Sequence, residues 1–317
     1  MTDFDYLVNI SLADLQRELG DLEHQCLVPP AKVFAENLKD LGASLRLPYA
    51  VLAYGNFKGM TFAQHSGEIW AKIFSGASEA DISTLAYSLG QQAVNRVHSV
   101  ADLGIDGNAL IDEFQAVFVN HEEGLGGLKS QLKAAVLLSW SAFENLSADL
   151  WVNCLNTYPQ ALVSNISRSD SSQPDQKKID MSQLQRYEYD LRGHMGTVLK
   201  DRYKFTDVDG IRKAYVDVFG STRRQEIEGI FRDPDLNFLE AARHNIAHRS
   251  GIIDSKFLSR IKSYLGFTGN EGEPLPLTGS FVSRLVSTAV EAGCVLVKSV
   301  DGWLPETATP TDDTPAN

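Results

Sequence analysis

The chain has 317 residues, 43% apolar and 22% charged, which is the balance of a soluble globular protein with enough length for one large or two ordinary domains. Its formal net charge of −12 excludes a broad, charge-driven grip on nucleic acid, which needs a basic surface. Cys26, Cys154 and Cys294 are far apart, with no CxxC pair and no disulfide framework, so a reducing compartment is expected. The first residues lack the basic-then-apolar pattern of a signal peptide. The best candidate membrane span, Val282 to Val300, is broken by Arg284, Glu291 and Lys298. A cytoplasmic protein with no membrane partner is the expectation.

Ser11-Leu12-Ala13-Asp14 predicts a helix start with Ser11 as its cap, and Leu12, Leu15, Leu19 and Leu22 form a narrow seam that Pro29-Pro30 ends. A second helix follows with Phe34, Leu38, Leu41 and Leu45 on one face, stopped by Pro48. Tyr49 to Phe62 holds Gly55, Gly59 and four aromatics, and reads equally as a loop or a short strand pair. Ile82, Leu85, Leu89 and Val97 mark another helix, and a further one is expected over about 108–120. Gly124-Leu125-Gly126-Gly127-Leu128-Lys129-Ser130 fails as a phosphate loop, because no buried strand precedes it and the Lys does not follow a Gly directly; it reads as a Gly-rich helix boundary.

A long helix over about 128–155 comes next, with Leu132, Val136, Phe143, Leu146 and Leu150 on one face and Trp140 and Trp151 widening it. Residues 164–180 are Ser-rich and polar and predict an exposed loop. Helices are expected near 181–202 and 207–219, with His194 at the surface between Gly193 and Gly196. Phe257, Ile261 and Leu265 mark a helix over 254–265, 270–277 reads as a loop, and a last helix spans about 279–299. The Thr-, Pro- and Asp-rich tail 305–317 is expected to be disordered. The fold class that results is all-α, a helical bundle.

The stretch from Asp233 to Gly251 reads as one complete helix with both ends marked. Asp233 is an N-cap, Pro234 fits the first helical position, and Gly251 fits the left-handed position past the end. Leu236, Leu239, Ala242 and Ile246 form its apolar stripe. Glu240, Arg243, His244, Asn245, His248 and Arg249 crowd its last turns, and three readings of them compete. One is a solvated face. Another is a metal face, since Glu240, His244 and His248 fall at i, i+4 and i+8, although the Glu that follows the first His in metalloprotease helices is missing. The third is a cationic pair, Arg243 and His248, with four residues between them.

Arg243-His244-Asn245-Ile246-Ala247-His248 near a helix C-terminus resembles the Arg-x4-His signature of the HEPN superfamily, and Arg249-Ser250-Gly251-Ile252-Ile253-Asp254 resembles its continuation in several bacterial branches. The family most often has Asn directly after the Arg; this chain has His244 there, and Asn245 one place later. Upstream, Ala134-Ala135-Val136-Leu137-Leu138-Ser139-Trp140-Ser141-Ala142-Phe143-Glu144-Asn145-Leu146 resembles the family's opening long helix, in which an aromatic residue precedes a Glu. The resemblance covers roughly 127–300 and implies a HEPN-like helical domain there, with residues 1–125 as an additional N-terminal helical region.

The resemblance further implies a metal-independent endoribonuclease without a cofactor, acting on single-stranded RNA as a homodimer. His248 would be the general acid/base and Arg243 the phosphate clamp, with His244, Asn245, Glu144 and Arg249 in support. Products would carry 2′,3′-cyclic phosphate and 5′-hydroxyl ends. Bacterial members of that family are often toxins or antiphage effectors, so an antitoxin or inhibitor protein is an implied partner. HEPN-like domains also serve as non-catalytic RNA- or nucleotide-binding and dimerisation modules, and fold analogy does not separate the two. Local charge suits a small target: residues 221–260 carry seven basic and six acidic groups on an otherwise acidic chain.

Overall fold

The computed structural model describes residues 5–305 except 7, 9, 11, 13–14, 77, 96–113, 170–178, 180 and 263, and gives only the backbone of 16, 18, 49, 51–65, 70, 74, 90–95, 167–169, 183 and 221. Among the described residues the protein is all-α, without a strand; a single antiparallel bridge joins Ile252 and Pro274. The helices are α1 (Leu15–Glu18), α2 (Val28–Phe74), α3 (Glu79–Asn95), α4 (Glu122–Thr157), α5 (Pro159–Ser169), α6 (Met181–Arg186), α7 (Met195–Lys200), α8 (Val208–Phe219), α9 (Arg224–Phe231), α10 (Pro234–Arg249), α11 (Ser255–Arg260) and α12 (Gly279–Trp303). Short turns, the 3-10 turn Gln25–Leu27 and the π-helical turn Gln115–Val119 among them, punctuate this order.

The chain forms two compact units. One comprises Ala43–Gln131; in it the Gln131 side chain donates to the Ser44 carbonyl at 3.0 Å, and Phe114 packs on Phe118. The other comprises Asp5–Gly42 and the chain from Leu132 onward. This division differs from the expected one, which kept residues 1–125 together. The physical reason is the seam that runs from the 3-10 turn into the early part of α2: Leu27, then Phe34, Leu38 and Leu41, are all buried. Gly293 of α12 lets Phe34 approach, since a Cβ there would stand 2.6 Å from Phe34 Cε1.

In that second unit α4 is the central helix. Trp140, Phe143, Trp151, Cys154 and Leu155 have no exposed surface. Two polar tips tie it to its neighbour: the Trp151 indole donates to the Ala214 carbonyl at 3.0 Å, and the Tyr215 hydroxyl donates to the Ser147 carbonyl at 2.8 Å. Such bonds satisfy groups that burial would otherwise penalise. On α12, Val282, Leu285, Val286, Leu296, Val297 and Val300 are buried while Arg284, Glu291 and Lys298 are exposed. Among the described residues this is the helix long and apolar enough, by length and composition, to cross a membrane, a test that a buried core helix also passes.

Several local expectations are corrected. Pro29 and Pro30 open α2 rather than end a helix, because the first turn needs no amide donor there. Pro48 lies inside α2, and the backbone of Tyr49 to Phe62 is helical, neither loop nor strand pair. The early helix shrinks to Leu15–Glu18, and its expected cap, Ser11, lies outside the described residues. Residues 108–113 of the helix expected over 108–120 lie outside them too; its end is the π-helical turn. Residues 164–169 of the expected Ser-rich loop form the end of α5, whereas 170–178 and the tail 306–317 lie outside the described residues. The Gly-rich run 124–127 is helical, because α4 starts at Glu122. The expected helix 181–202 is two short ones, α6 and α7; His194 sits exposed between them, its ring stacked on Tyr187. The helix expected over 254–265 stops at Arg260. Sequence reading missed α9, which buries Ile227 and Phe231 one turn apart.

Candidate active site

Helix α10 forms as its end signals dictate. The Asp233 carboxylate accepts from the amides of Asp235 and Leu236 at 2.7 and 3.2 Å, and Pro234 occupies the first turn. At the other end Ser250 adopts the left-handed conformation (φ 55°) and Gly251 follows at φ 81°. The left-handed cap expected at Gly251 therefore begins one residue earlier, on a residue with a Cβ. Lys133 of α4 compensates: its ammonium donates to the Ser250 carbonyl at 2.7 Å. A cation placed there also meets the negative end of the helix dipole. Leu236, Leu239, Ala242 and Ile246 are buried, as their spacing requires.

The polar residues of the last turns part company. Arg243 turns towards α4, where its guanidinium meets Glu144 Oε2 at 3.2 Å. The same carboxylate oxygen accepts from the Trp140 indole at 2.8 Å, so Glu144 is held from two sides. Both members of the ion pair are mostly shielded, with 24% and 19% of their side chains exposed. His248, five residues on, is exposed, and its ring stands 4.5 Å from that of His244, tilted by 51°. This follows from helix geometry, which separates positions five apart by about 140° and superposes those four apart.

Asn245 is 2% exposed. Its Nδ2 donates to the Ile252 carbonyl at 2.9 Å, pinning the chain just past the helix end, while its Oδ1 is buried without a hydrogen-bond partner. Arg249 is exposed and lies 3.6 Å from Asp254. The Glu240 carboxylate is engaged elsewhere: it meets Arg260 at 3.0 Å and accepts from the Val208 amide at 3.4 Å. Burial pushes the Glu240 carboxyl above its ordinary range against these partners. Among the described residues no group of three His, Cys, Asp or Glu side chains is placed to hold a metal ion, so the Glu240, His244, His248 set is not assembled as a ligand cluster.

The electrical surroundings of His244 are one-sided. Burial, and then the positive charges of Arg260, His248, Lys256 and Arg243, hold its imidazole below 6.5. An uncharged imidazole amid cations can accept a proton, and the cations can bind an oxyanion. Arg260, Lys256 and Lys133 belong to this region although the motif does not contain them. Lys256 and Arg260 were visible in the sequence as part of the locally basic window; nothing in the spacing singled out Lys133 or Trp140. The chain matches no protein-family model, no curated protein and no solved structure.

Proposed function

We propose that the protein is a metal-independent endoribonuclease acting on single-stranded RNA, with His248 as general acid/base and Arg243 as phosphate clamp. The observation that carries this reading is the pairing, at one helix end, of exposed His248 with neighbouring His244, beside an arginine fixed by Glu144. In the proposed reaction the ribose 2′-hydroxyl loses its proton to an imidazole and attacks phosphorus. The P–O bond to the 5′-oxygen breaks, and that oxygen takes up a proton. Positive charge steadies the phosphorane. A cyclic phosphate and a 5′-hydroxyl result, and DNA, lacking the 2′-hydroxyl, is not cut. A homodimer would bring two copies of the α10 end to one RNA. Roles as a toxin or antiphage effector, and control by an antitoxin or inhibitor protein, belong to the same proposal.

The Glu144–Arg243 pair favours a second reading, in which the domain binds RNA or nucleotide without cutting it, because a clamp already neutralised by a carboxylate has less charge left for phosphate. Cleavage of a labelled single-stranded RNA in EDTA separates the two. Under the nuclease reading wild type yields cyclic-phosphate ends, while His248→Ala and Arg243→Ala each lose about 10²-fold or more. If folded wild type binds the RNA but leaves it intact, the binding module stands instead. Cleavage that needs a metal ion and disappears with His244→Ala would replace both.

A further inference from the structure

Cys26 lies in the 3-10 turn Gln25–Leu27, and its carbonyl accepts from Asn153 Nδ2 of α4 at 3.0 Å. The next residue of α4 is Cys154, which has no exposed surface. The bond from Asn153 brings the Cys26 turn against α4 beside Cys154, and the Cys154 and Thr157 side chains act on the Cys26 thiol. The turn is fastened from the other side as well. His24 N–H and Nδ1 both meet Asp301 Oδ1, at 3.0 and 2.8 Å, and the Glu23 amide donates to Asp301 Oδ2 at 3.0 Å. His24 Nε2 lies 3.0 Å from the Pro305 carbonyl, and the His24 ring stands edge-on to Tyr158 at 5.8 Å. The turn cannot slide along α4 without losing these bonds, so the sulfurs are held in register.

The two sulfurs differ in surroundings. Cys26 is half-buried, and its thiol is drawn down to about 7 by the neighbouring Cys154 side chain, with Thr157 and the His24 charge adding to it against the effect of burial. Burial pushes the Cys154 thiol well above its ordinary range. One accessible sulfur that ionises readily beside one enclosed sulfur that stays protonated is the arrangement of an attacking thiol and a resolving thiol. Both imidazole nitrogens of His24 are already engaged, so it acts on Cys26 as a charge rather than as a base.

We propose that Cys26 and Cys154 form a peroxide-responsive dithiol, in which Cys26 is oxidised first and Cys154 closes the disulfide. The Cys26 thiolate attacks one oxygen of hydrogen peroxide. An S–O bond forms, the O–O bond breaks and hydroxide departs, so sulfur gives up two electrons and peroxide accepts them. The Cys154 sulfur then attacks the Cys26 sulfur. The S–S bond forms, the S–O bond breaks, and the Cys154 proton leaves with the hydroxyl as water. A thiol reductant reverses the closure by exchange. In a reducing compartment such a bond is transient, which suits a sensor. While closed, it staples the 3-10 turn to the last turns of α4.

The full chain, reduced and then freed of reductant, is treated with a small excess of hydrogen peroxide, after which its thiols are counted and its peptides mapped without reduction. The expected result is a Cys26–Cys154 disulfide, with thiols falling from three to one and returning on treatment with dithiothreitol. Cys26→Ser keeps both remaining thiols reduced, and Cys154→Ala accumulates a Cys26 sulfenic acid that dimedone traps. Three free thiols after peroxide, a bridge to Cys294, or Cys26 driven to sulfinic acid without a cross-link would each overturn the proposal. The mapping on wild type needs no variant, so a poorly folded Cys154→Ala does not shield the idea.

Discussion

His24 lies between the Asp301 carboxylate and the Pro305 carbonyl, whereas His244 lies among Arg260, His248, Lys256 and Arg243. Burial disfavours the charged ring in both places. At His24 the Pro305 carbonyl and the Asp301 carboxylate outweigh it and the imidazole titrates above 6.5; at His244 the neighbouring cations add to it and the imidazole titrates below. The same side chain is therefore a charged fastening in one region and a ring held towards its uncharged form in the other. The consequences for stability have opposite sign. The contribution of His24 is complete below about 6.5 and is lost as pH rises through its raised folded value. At His244 the folded chain holds the proton less tightly than the unfolded chain, so a penalty sets in as pH falls below about 6.5 and is absent above it.

The largest expected effect comes from Asp301→Asn, which removes the carboxylate charge facing His24 and weakens three bonds at once. Stability should fall by about 3 kcal/mol near pH 6 and by less near pH 8.5, read from urea midpoints at the two pH values. An equal loss at both would mean that the clamp is not ionic. Next is Gly293→Ala, whose new Cβ meets Phe34 and Leu146. Both neighbours are buried, so overpacking of about 2 kcal/mol is expected at either pH, and this separates packing of the N-terminal segment from its ionic clamp. The smallest effect is that of Lys256→Gln: the His244 resonance should titrate closer to 6.5 by NMR while His24 stays where it is. A His244 titration unmoved by that change would show that the Lys256 charge does not reach it.

Helix α10 was legible from its own residues, since Asp233, Pro234 and the stripe from Leu236 to Ile246 act within one helix and depend on no distant partner. Helix α2 was misread for the converse reason. Pro48 and the glycines of 49–62 are local breakers, yet the backbone there remains helical across them. Pro29-Pro30 carried a boundary signal of the right kind with the wrong direction, because proline both precedes and follows helices. At the candidate site the motif spacing located Arg243, His244 and His248 on one helix end. It could not show that Glu144, ninety-nine positions away, grips Arg243, nor that Lys133 caps Ser250. Those contacts depend on how α4 lies against α10, which no local pattern encodes. Likewise, the wide spacing of Cys26 and Cys154 concealed their adjacency.

Just past α10 the chain is tied back on itself. Ile253 and Gly251 pair with Glu273 and Leu275 through backbone bonds of 2.8 Å, around the bridge from Ile252 to Pro274. Everything from Asp254 to Glu271 is thus an excursion whose two ends meet at one place, plugged by Phe257 and Phe267 against Phe238. Leu265, 94% exposed, lies within it. Lys256 and Arg260, which set much of the charge around His244, ride on this excursion and not on α4 or α10. A change in how the excursion docks would therefore alter the charge around His244 without touching the helix that carries it, its points of attachment being the Arg260–Glu240 and Tyr264–Asp235 contacts.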